Sequence, residues 1–420
     1  MTDFIPPPLR ALPRDGVVLF LTRFTRLFAY GALSVVLVFY LVSLGLTETQ
    51  VGLLLTLTLA GDIAISLVLT TRADRLGRRR MLIVGAILMV GAGVAFASTR
   101  NLLFLIIAGT IGVISPSGHE VGPFLSIEQA ALSHVVPARS RTEVFAWYTL
   151  AGSVATALGA LCGGTTAGLA QKVSLSSSGS YRVVVLVYAA LGLGLVFLFT
   201  RLSSSAEVAE CAIETTAAVS KKHFLGVCRS RSIVLKLSSL FALDSFGGGF
   251  VVQSFAAYWF YLRFGVPSAK LGVIFFWANI LAGISAVFAS RLATRIGLVR
   301  TMVVTHLPSN ILLILVPLMP NLTLAVLVLL VRFSISQMDV PTRQSYTMAV
   351  VRPEERSAAG GITGVARTAG AAISPIFAGF LFSRPALIDI PFFIAGTLKI
   401  AYDLVLYRQF AAISPPEEAD

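Results

Sequence analysis

Twelve long apolar segments, joined by short polar connections, make up most of this 420-residue sequence. A bilayer core is about 30 Å thick, and a helix of about 20 apolar residues crosses it with its backbone hydrogen bonds satisfied. Charged residues make up only 13% of the chain, whereas soluble domains carry about 25%. The sequence therefore predicts a polytopic, all-α membrane protein. The predicted spans are residues 16–43, 49–71, 80–98, 102–134, 142–168, 181–201, 232–262, 268–292, 299–319, 322–350, 357–382 and 386–407.

Lysine and arginine are distributed unevenly between the two ends of these spans. If the N-terminus is cytoplasmic, 21 of the 33 basic residues fall on the cytoplasmic side and 6 on the opposite side. Cytoplasmic loops of membrane proteins are enriched in positive charge, so both termini are predicted to be cytoplasmic, in a multi-pass protein of the plasma or cell inner membrane. This topology and attraction to anionic lipids explain the net charge of +13 without nucleic-acid binding.

The two halves of the chain repeat one another. With a shift of 220 residues, RADRLGRRR at 72–80 aligns with LATRIGLVR at 292–300, so that Gly77 falls on Gly297. Parallel repeats of this kind form two bundles with a substrate site between them near the membrane midplane. The predicted organisation is an N-terminal six-helix bundle (1–201), a cytoplasmic linker (202–231) and a C-terminal six-helix bundle with a short tail (232–420).

Residues 74–79 read D-R-L-G-R-R and resemble the D-R-x-G-R-R core of the signature loop of the major facilitator superfamily. The weaker copy at 292–300, the number of spans and the duplication extend the resemblance over the whole chain. It implies twelve transmembrane helices in two pseudo-twofold-related six-helix bundles that work by alternating access. The glycine that opens the family's motif is replaced by Thr70, which we expect to loosen the packing of span 2 against span 11.

This signature loop has two interpretations. Its basic residues can simply anchor the loop to lipid headgroups, or the loop can be a conformational latch between the bundles. A glycine permits a tight turn, and an aspartate can cap a helix or pair with an arginine. The candidate latch residues are Asp74, Arg75, Gly77 and Arg78.

Ionisable residues inside the spans are costly and usually face a cavity or a partner. Here they concentrate in spans 1, 2, 4, 7 and 10, and spans 1, 4, 7 and 10 line the central cavity in the family that the chain resembles. For Asp62, a fixed salt bridge to Arg23 or Arg26 is the alternative to a transport role. The candidate substrate- or proton-binding residues are Arg26, Asp62, His119, Glu120, Asp244, Arg332 and Asp339.

Span 4 contains prolines at positions 116 and 123, with glycines between them. Proline breaks the hydrogen-bond ladder of a helix, and irregular backbone at membrane depth is tolerated where it lines a cavity. We therefore predict that Glu120 binds a proton or the substrate; the alternative is a satisfied structural network.

The repeat places Glu128 of span 4 opposite Arg343 of span 10, at equivalent positions near the cytoplasmic side. Their opposite charges predict an ion pair between the bundles that closes an inner gate.

Other polar residues in the spans are assigned lesser roles. Arg367, Lys399 and Asp403 are expected to stabilise helix contacts or reach the interface, and His306 is expected at the surface.

The sequence favours a proton-driven secondary transporter. It contains no nucleotide-binding loop of the G-x-x-x-x-G-K type. The signature loop and a partial glycine motif at 159–164 favour efflux by proton antiport; uptake by symport and facilitated diffusion are the alternatives.

A membrane enzyme or receptor is a rival class of protein. The four histidines are scattered along the chain and do not form the cluster of ligands that such an enzyme generally has. The expected partners are protons, lipids and a small molecule, for which the mixed charges allow an amphiphilic or anionic character. No cofactor, metal or nucleic acid is expected, and the protein is expected to be a monomer.

Overall fold

The computed structural model describes residues 12–120, 123–136, 141–173, 176–203, 207, 230–352 and 355–410. These segments are helical almost throughout and contain no β-strand. The helices are α1 (Arg14–Ser43), α2 (Glu48–Leu76), α3 (Arg78–Ser98), α4 (Leu102–Ile111), α5 (Phe124–Val135), α6 (Arg141–Lys172), α7 (Ser177–Thr200), α8 (Arg231–Gly249), α9 (Gln253–Phe264), α10 (Ser268–Ile296), α11 (Leu298–Leu315), α12 (Leu322–Phe333), α13 (Asp339–Ala349), α14 (Arg356–Phe382) and α15 (Ile390–Phe410).

Ten stretches of the described chain are helical, long and apolar enough to cross a membrane. Two shorter apolar helices, α4 and α12, begin the predicted spans 4 and 10. The expected all-α, multi-pass membrane fold is therefore confirmed. Spans 4, 7 and 10 differ from the others because each is built from two α-helices, α4 with α5, α8 with α9 and α12 with α13.

The interruption of span 4 follows from its prolines, whereas the interruption of span 10 was not predicted. Residues 112–120 are not helical, and the helix resumes at Phe124, directly after Pro123. In span 10, the helix ends at Phe333 and begins again at Asp339. Pro341 lies in the first turn of α13, where its missing N–H group costs little. The break itself contains no proline, so hydropathy alone could not reveal it.

The first compact unit comprises Met1–Leu46, Gly61–Ala218 and Pro267–Phe276. Helix α1 lies at its centre, with 83% of its most apolar window buried. Small residues bring helix backbones close together in membranes. A methyl group on Gly159 of α6 would overlap the carbonyl oxygen of Phe28, so this glycine sets the close approach of α6 to α1.

The second compact unit comprises Thr47–Ala60, Val219–Val266 and Trp277–Asp420. Helices α8, α11, α13 and α15 share a buried cluster of large side chains, which positions the polar residues of this unit. The start of α2 also belongs to this unit and packs against α14, where Gly52 meets Gly379. The cluster comprises Leu237, Leu240, Phe241, Val299, Met302, Tyr346, Tyr402, Leu406 and Phe410.

Replacing Gly379 by alanine tests the contact between α2 and α14. The added methyl group would lie 2.8 Å from the Cα of Gly52 and overlap the carbonyl oxygen of Glu48. Overpacking of this kind costs about 1–3 kcal/mol, so we expect a lower melting temperature for the purified protein in detergent. Gly364→Ala in the same helix is the matched control, because nothing lies within 4 Å of that position. Equal effects of the two substitutions would contradict this packing.

Candidate functional site

Two arginines on α1 meet two glutamates of span 4 inside the first unit. Arg26 is fully buried, and so is Glu128 on α5. Nη1 of Arg26 donates to Oε1 of Glu128 at 2.6 Å, and Nη2 donates to Oε2 at 2.9 Å. Such two-pronged pairs between guanidinium and carboxylate are strong and geometrically specific. They fix α5 against α1.

Two hydroxyl groups complete the surroundings of Glu128. Thr22 Oγ1 donates to Oε1 at 2.9 Å, and the hydroxyl of Tyr148 on α6 donates to Oε2 at 2.5 Å. Burial of a carboxylate is tolerated when opposite charge and hydrogen bonds compensate for lost water. Glu128 therefore ties α1, α5 and α6 together.

Glu120 is the more accessible member of this network. It lies in the non-helical segment between α4 and α5, and its side chain is 17% exposed. Arg26 Nη2 lies 3.0 Å from Oε2 of Glu120, and Arg23 Nη1 lies 2.9 Å from Oε1. The two arginines thus hold Glu120 at the more exposed end of the network. The irregular backbone that places it there is the one that Pro116 and Pro123 predict.

The remaining predicted site residues of this unit take different positions. Asp62 is buried in α2, whereas His119, next to Glu120 in the chain, is exposed. The ion pairs of Arg23 and Arg26 lead to Glu120 and Glu128. The structure thus places both glutamates in one ion-pair network, and the transport roles of Glu120 and Asp62 stay predictions.

Asp244 on α8 is the centre of a second buried network, in the second unit. Arg343 Nη1 on α13 donates to its Oδ2 at 3.0 Å, and Lys399 Nζ on α15 donates to Oδ1 at 2.6 Å. The His306 Nε2 atom on α11 lies 3.6 Å from the same Oδ1. Arg343 also reaches Asp339 one turn earlier, with 3.3 Å between Nη2 and Oδ2. One carboxylate thus links four helices.

His306 connects Asp244 to a further carboxylate. Its Nδ1 lies 2.8 Å from Oδ1 of Asp403 on α15, and Asn310 Nδ2 donates to the other oxygen of Asp403 at 2.9 Å. All of these side chains are buried. The imidazole therefore bridges two carboxylates, an arrangement in which a ring nitrogen can exchange a proton with either oxygen.

One sequence-based assignment changes in this network. His306 was expected at the surface, but it is only 5% exposed. Lys399 and Asp403 were expected to make helix contacts or reach the interface, and within the network they join α15 to α8 and α11. Their spacing was the available signal, because polar residues four apart in an apolar helix share one face. His306 with Asn310, and Lys399 with Asp403, both have that spacing.

In both units, an ion pair joins the first and fourth spans of the half, but the positive and negative residues have exchanged spans. In the first, the arginine is on the first span of the half and the glutamate on the fourth. In the second, Asp244 is on the first span and Arg343 on the fourth. The structure gives Glu128 and Arg343 each a partner within its own unit, and the expected pair between them stays a prediction. Both are buried beside an opposite charge of their own unit.

Asp244, His306 and Asp339 each offer a ligand atom within 4.8 Å of the others, a spacing that a metal ion could use. However, Arg343 and Lys399 already occupy the two oxygens of Asp244. Guanidinium and ammonium groups next to a carboxylate oppose a divalent cation electrostatically. The donor set therefore fits an ion-pair network better than a metal centre.

The signature loop is capped by a residue that the sequence did not predict. Gly77 turns the chain between α2 and α3 with a φ of 100°, a conformation that favours glycine. The backbone N–H groups of Arg78 and Arg79 donate to Glu207 at 2.6 and 3.0 Å. A carboxylate at a helix N-terminus is stabilising. The side chains of Asp74 and Arg75 lie outside the described residues, as does most of the predicted linker.

Comparison with known proteins matches this architecture. The sequence model of the Major Facilitator Superfamily matches residues 19–375. The uncharacterized membrane protein YJR124C of Saccharomyces cerevisiae is 32% identical over 425 residues, which cover 95% of each chain.

Two solved structures share the fold at low sequence identity. The nucleoside transporter NupG superposes with a TM-score of 0.71 at 12% identity, covering 94% of this chain and 99% of that one. A D-xylose-proton symporter gives a TM-score of 0.69 at 16% identity, covering 94% and 97%. These likenesses concern the fold.

Removing one member of the buried pair between Arg26 and Glu128 takes the shortest ion pair away from the other, and breaking a buried pair costs about 3–5 kcal/mol. We therefore expect Arg26→Gln and Glu128→Gln each to lower the melting temperature of the purified protein strongly. The double variant should be no less stable than the worse single variant, because the second substitution removes the stranded charge. Arg14→Gln, at an exposed position of α1, is the control. Losses that simply add in the double variant would argue against a direct pair.

Proposed function

The chain belongs to the Major Facilitator Superfamily, and from this we propose that it is a secondary active transporter with a proton-coupled cycle. It moves a small molecule across the membrane by alternating access between two six-helix bundles. The preferred direction is efflux by proton antiport. The alternative is uptake by proton symport or facilitated diffusion, which would use the same fold.

The observation that carries this proposal is the pair of buried charge networks inside apolar spans. Charges at membrane depth are expensive and mark substrate or proton paths in membrane proteins. In each unit the network joins the first and fourth spans of its half, on α1 with α5 and on α8 with α13. A purely structural membrane protein would gain as much from apolar packing at these positions.

The chemistry of the networks supports proton coupling. Protonation of Glu120 removes its negative charge and weakens its ion pairs with Arg23 and Arg26. A change of partner at these arginines is the kind of local switch that biases a two-state bundle. In the second unit, His306 lies between Asp244 and Asp403 and offers a second place for a proton to reside.

Efflux is supported by the D-R-L-G-R-R sequence of the signature loop. The glycines at 159–164 give weaker support, because the structure explains them by packing: Gly159 and Gly163 meet α1, and Gly164 meets the start of α10. We propose that Asp74, Arg75, Gly77 and Arg78 form a latch on which Glu207 docks. This keeps the signature loop as a moving part of the cycle.

The excess of basic residues on one side supports cytoplasmic termini in a plasma or inner membrane. One chain contains both halves, which fits a monomer acting with protons, lipids and a small solute.

Proteoliposomes containing a pH-sensitive dye test the role of Glu120. Solutes from a panel are added outside, and a cargo-dependent change of internal pH reports coupling; its sign separates antiport from symport. We expect Glu120→Gln to abolish the proton signal, because an amide cannot carry the proton. Glu143→Gln, at an exposed position of α6, should behave like the wild type. Unchanged coupling in the Glu120 variant would remove this residue from the proton path.

His306→Asn tests the second network independently of Glu120. Asparagine can keep one hydrogen bond but cannot carry a proton between the two carboxylates. We expect proton-driven transport to fall at least tenfold, whereas solute exchange at equal pH on both sides persists. His134→Asn is the matched control, because His134 is exposed on α5. Equal losses of driven transport and exchange would indicate a structural role only.

A further inference from the structure

Basic side chains outnumber acidic ones around the network of the second unit. Four cationic residues lie on α12, α13, α14 and α15, whereas three carboxylates belong to α8, α13 and α15. The cations are Arg332, Arg343, Arg367 and Lys399, and the carboxylates are Asp244, Asp339 and Asp403. The surplus is at least one positive charge.

The three carboxylates are already committed to other groups. Asp244 accepts from Arg343 and Lys399. The Asp339 carboxylate pairs with Arg343, and both oxygens of Asp403 are engaged by His306 and Asn310. The positive charge that remains therefore belongs to Arg332 and Arg367.

Arg332 and Arg367 have no carboxylate within 4.0 Å among the described residues. The Nε atom of each is buried and has no hydrogen-bond partner in that part of the chain. The guanidinium of Arg332 lies over the ring of Phe333, 5.1 Å from its centroid. Both arginines interact electrostatically with Asp244 and Asp339, and Arg367 is also repelled by the charge of Arg343. They therefore border the same network.

The ion pairs of the first unit provide a contrast. There, both arginines of α1 have a glutamate at 2.6 to 3.0 Å. A guanidinium at membrane depth without such a partner is unfavourable, and residues of this kind mark substrate paths. Arg332 also sits where span 10 is interrupted, at the end of α12, so the surrounding backbone is irregular. Irregular backbone at this depth is found where it lines a cavity.

We propose that Arg332 and Arg367 bind the anionic group, a carboxylate or phosphate, of the molecule that this protein transports. This inference rests on the proposed transport function and adds the chemical class of the substrate. Guanidinium groups match both anions because two parallel N–H donors meet two oxygens. The ring of Phe333 beside Arg332 favours an aromatic or apolar body attached to the anion.

A set of ligands that share a phenyl ring but differ in charge tests whether binding requires an anionic group. The full-length protein in phosphatidylcholine nanodiscs is titrated with benzoate, phenyl phosphate, neutral benzamide and cationic benzylamine, and binding is followed by calorimetry. We expect binding of benzoate or phenyl phosphate only. Arg332→Gln and Arg367→Gln should each weaken it by about tenfold or more, since hydrogen bonds to charged groups contribute about 1.5–3 kcal/mol. Equal binding of benzamide, or unchanged affinity in both variants, would overturn the proposal.

A stability measurement separates ligand binding from a structural role. Without ligand, Arg332→Gln and Arg367→Gln should keep or raise the melting temperature, because each removes an uncompensated charge. Arg343→Gln should lower it, because it removes the ion-pair partner of Asp339 and one of the partners of Asp244. Arg384→Gln, at an exposed position, is the neutral control for affinity and stability. A large loss of stability in both the Arg332 and the Arg367 variant would contradict the proposal.

Two further measurements show whether the anion comes from a lipid or a solute, and separate failure of the anion site from failure of the transport proposal. If phosphatidylglycerol in the nanodisc stabilises the wild type through these arginines and benzoate adds nothing, the site belongs to a lipid headgroup and the substrate proposal fails.

Transport in proteoliposomes is the second measurement. If the wild type and both arginine variants transport neutral solutes equally and transport no anion, the proposed transport function stands and the anion site is refuted. Benzoate binding that needs both arginines, in vesicles that move no solute, supports the site and contradicts transport.

Discussion

A charge buried at membrane depth needs an opposite charge beside it, and this constraint organises both units of the protein. Arg26 and Glu128 satisfy it in the first unit, with two hydrogen bonds of 2.6 and 2.9 Å. Asp244 satisfies it in the second unit through Arg343 and Lys399. Because each pair joins helices that are far apart in sequence, the same interactions that neutralise the charges also determine which helices lie together.

Much of the fold could be predicted from the sequence because membrane spans have a length and composition that few other structures share. The break in span 4 was also predictable, since Pro116 and Pro123 lack the backbone N–H that a helix requires. The break at 334–338 was not, because no proline lies within it.

The candidate site was predictable in its residue types but not in its pairings. The intramembrane charges are visible in the sequence, yet partners about 100 residues apart depend on how the helices pack. The repeat suggested a pair between Glu128 and Arg343 but gave no sign of the partner that each has within its own unit. His306 was misplaced because a lone histidine near the end of a span gives no signal of burial; only its spacing from Asn310 and the facing Asp403 reveals its role.

Exchanging charges within and between the units tests this account most directly, with the melting temperature of the purified protein as the readout. Glu128→Arg alone places a third positive charge beside Arg23 and Arg26. Adding Arg26→Glu is expected to recover much of the lost stability, because the pair is restored with reversed signs. Adding Arg343→Glu instead should lower stability further, since it repels Asp244 and Asp339. Recovery with Arg343→Glu and none with Arg26→Glu would contradict the pairing of each charge within its own unit.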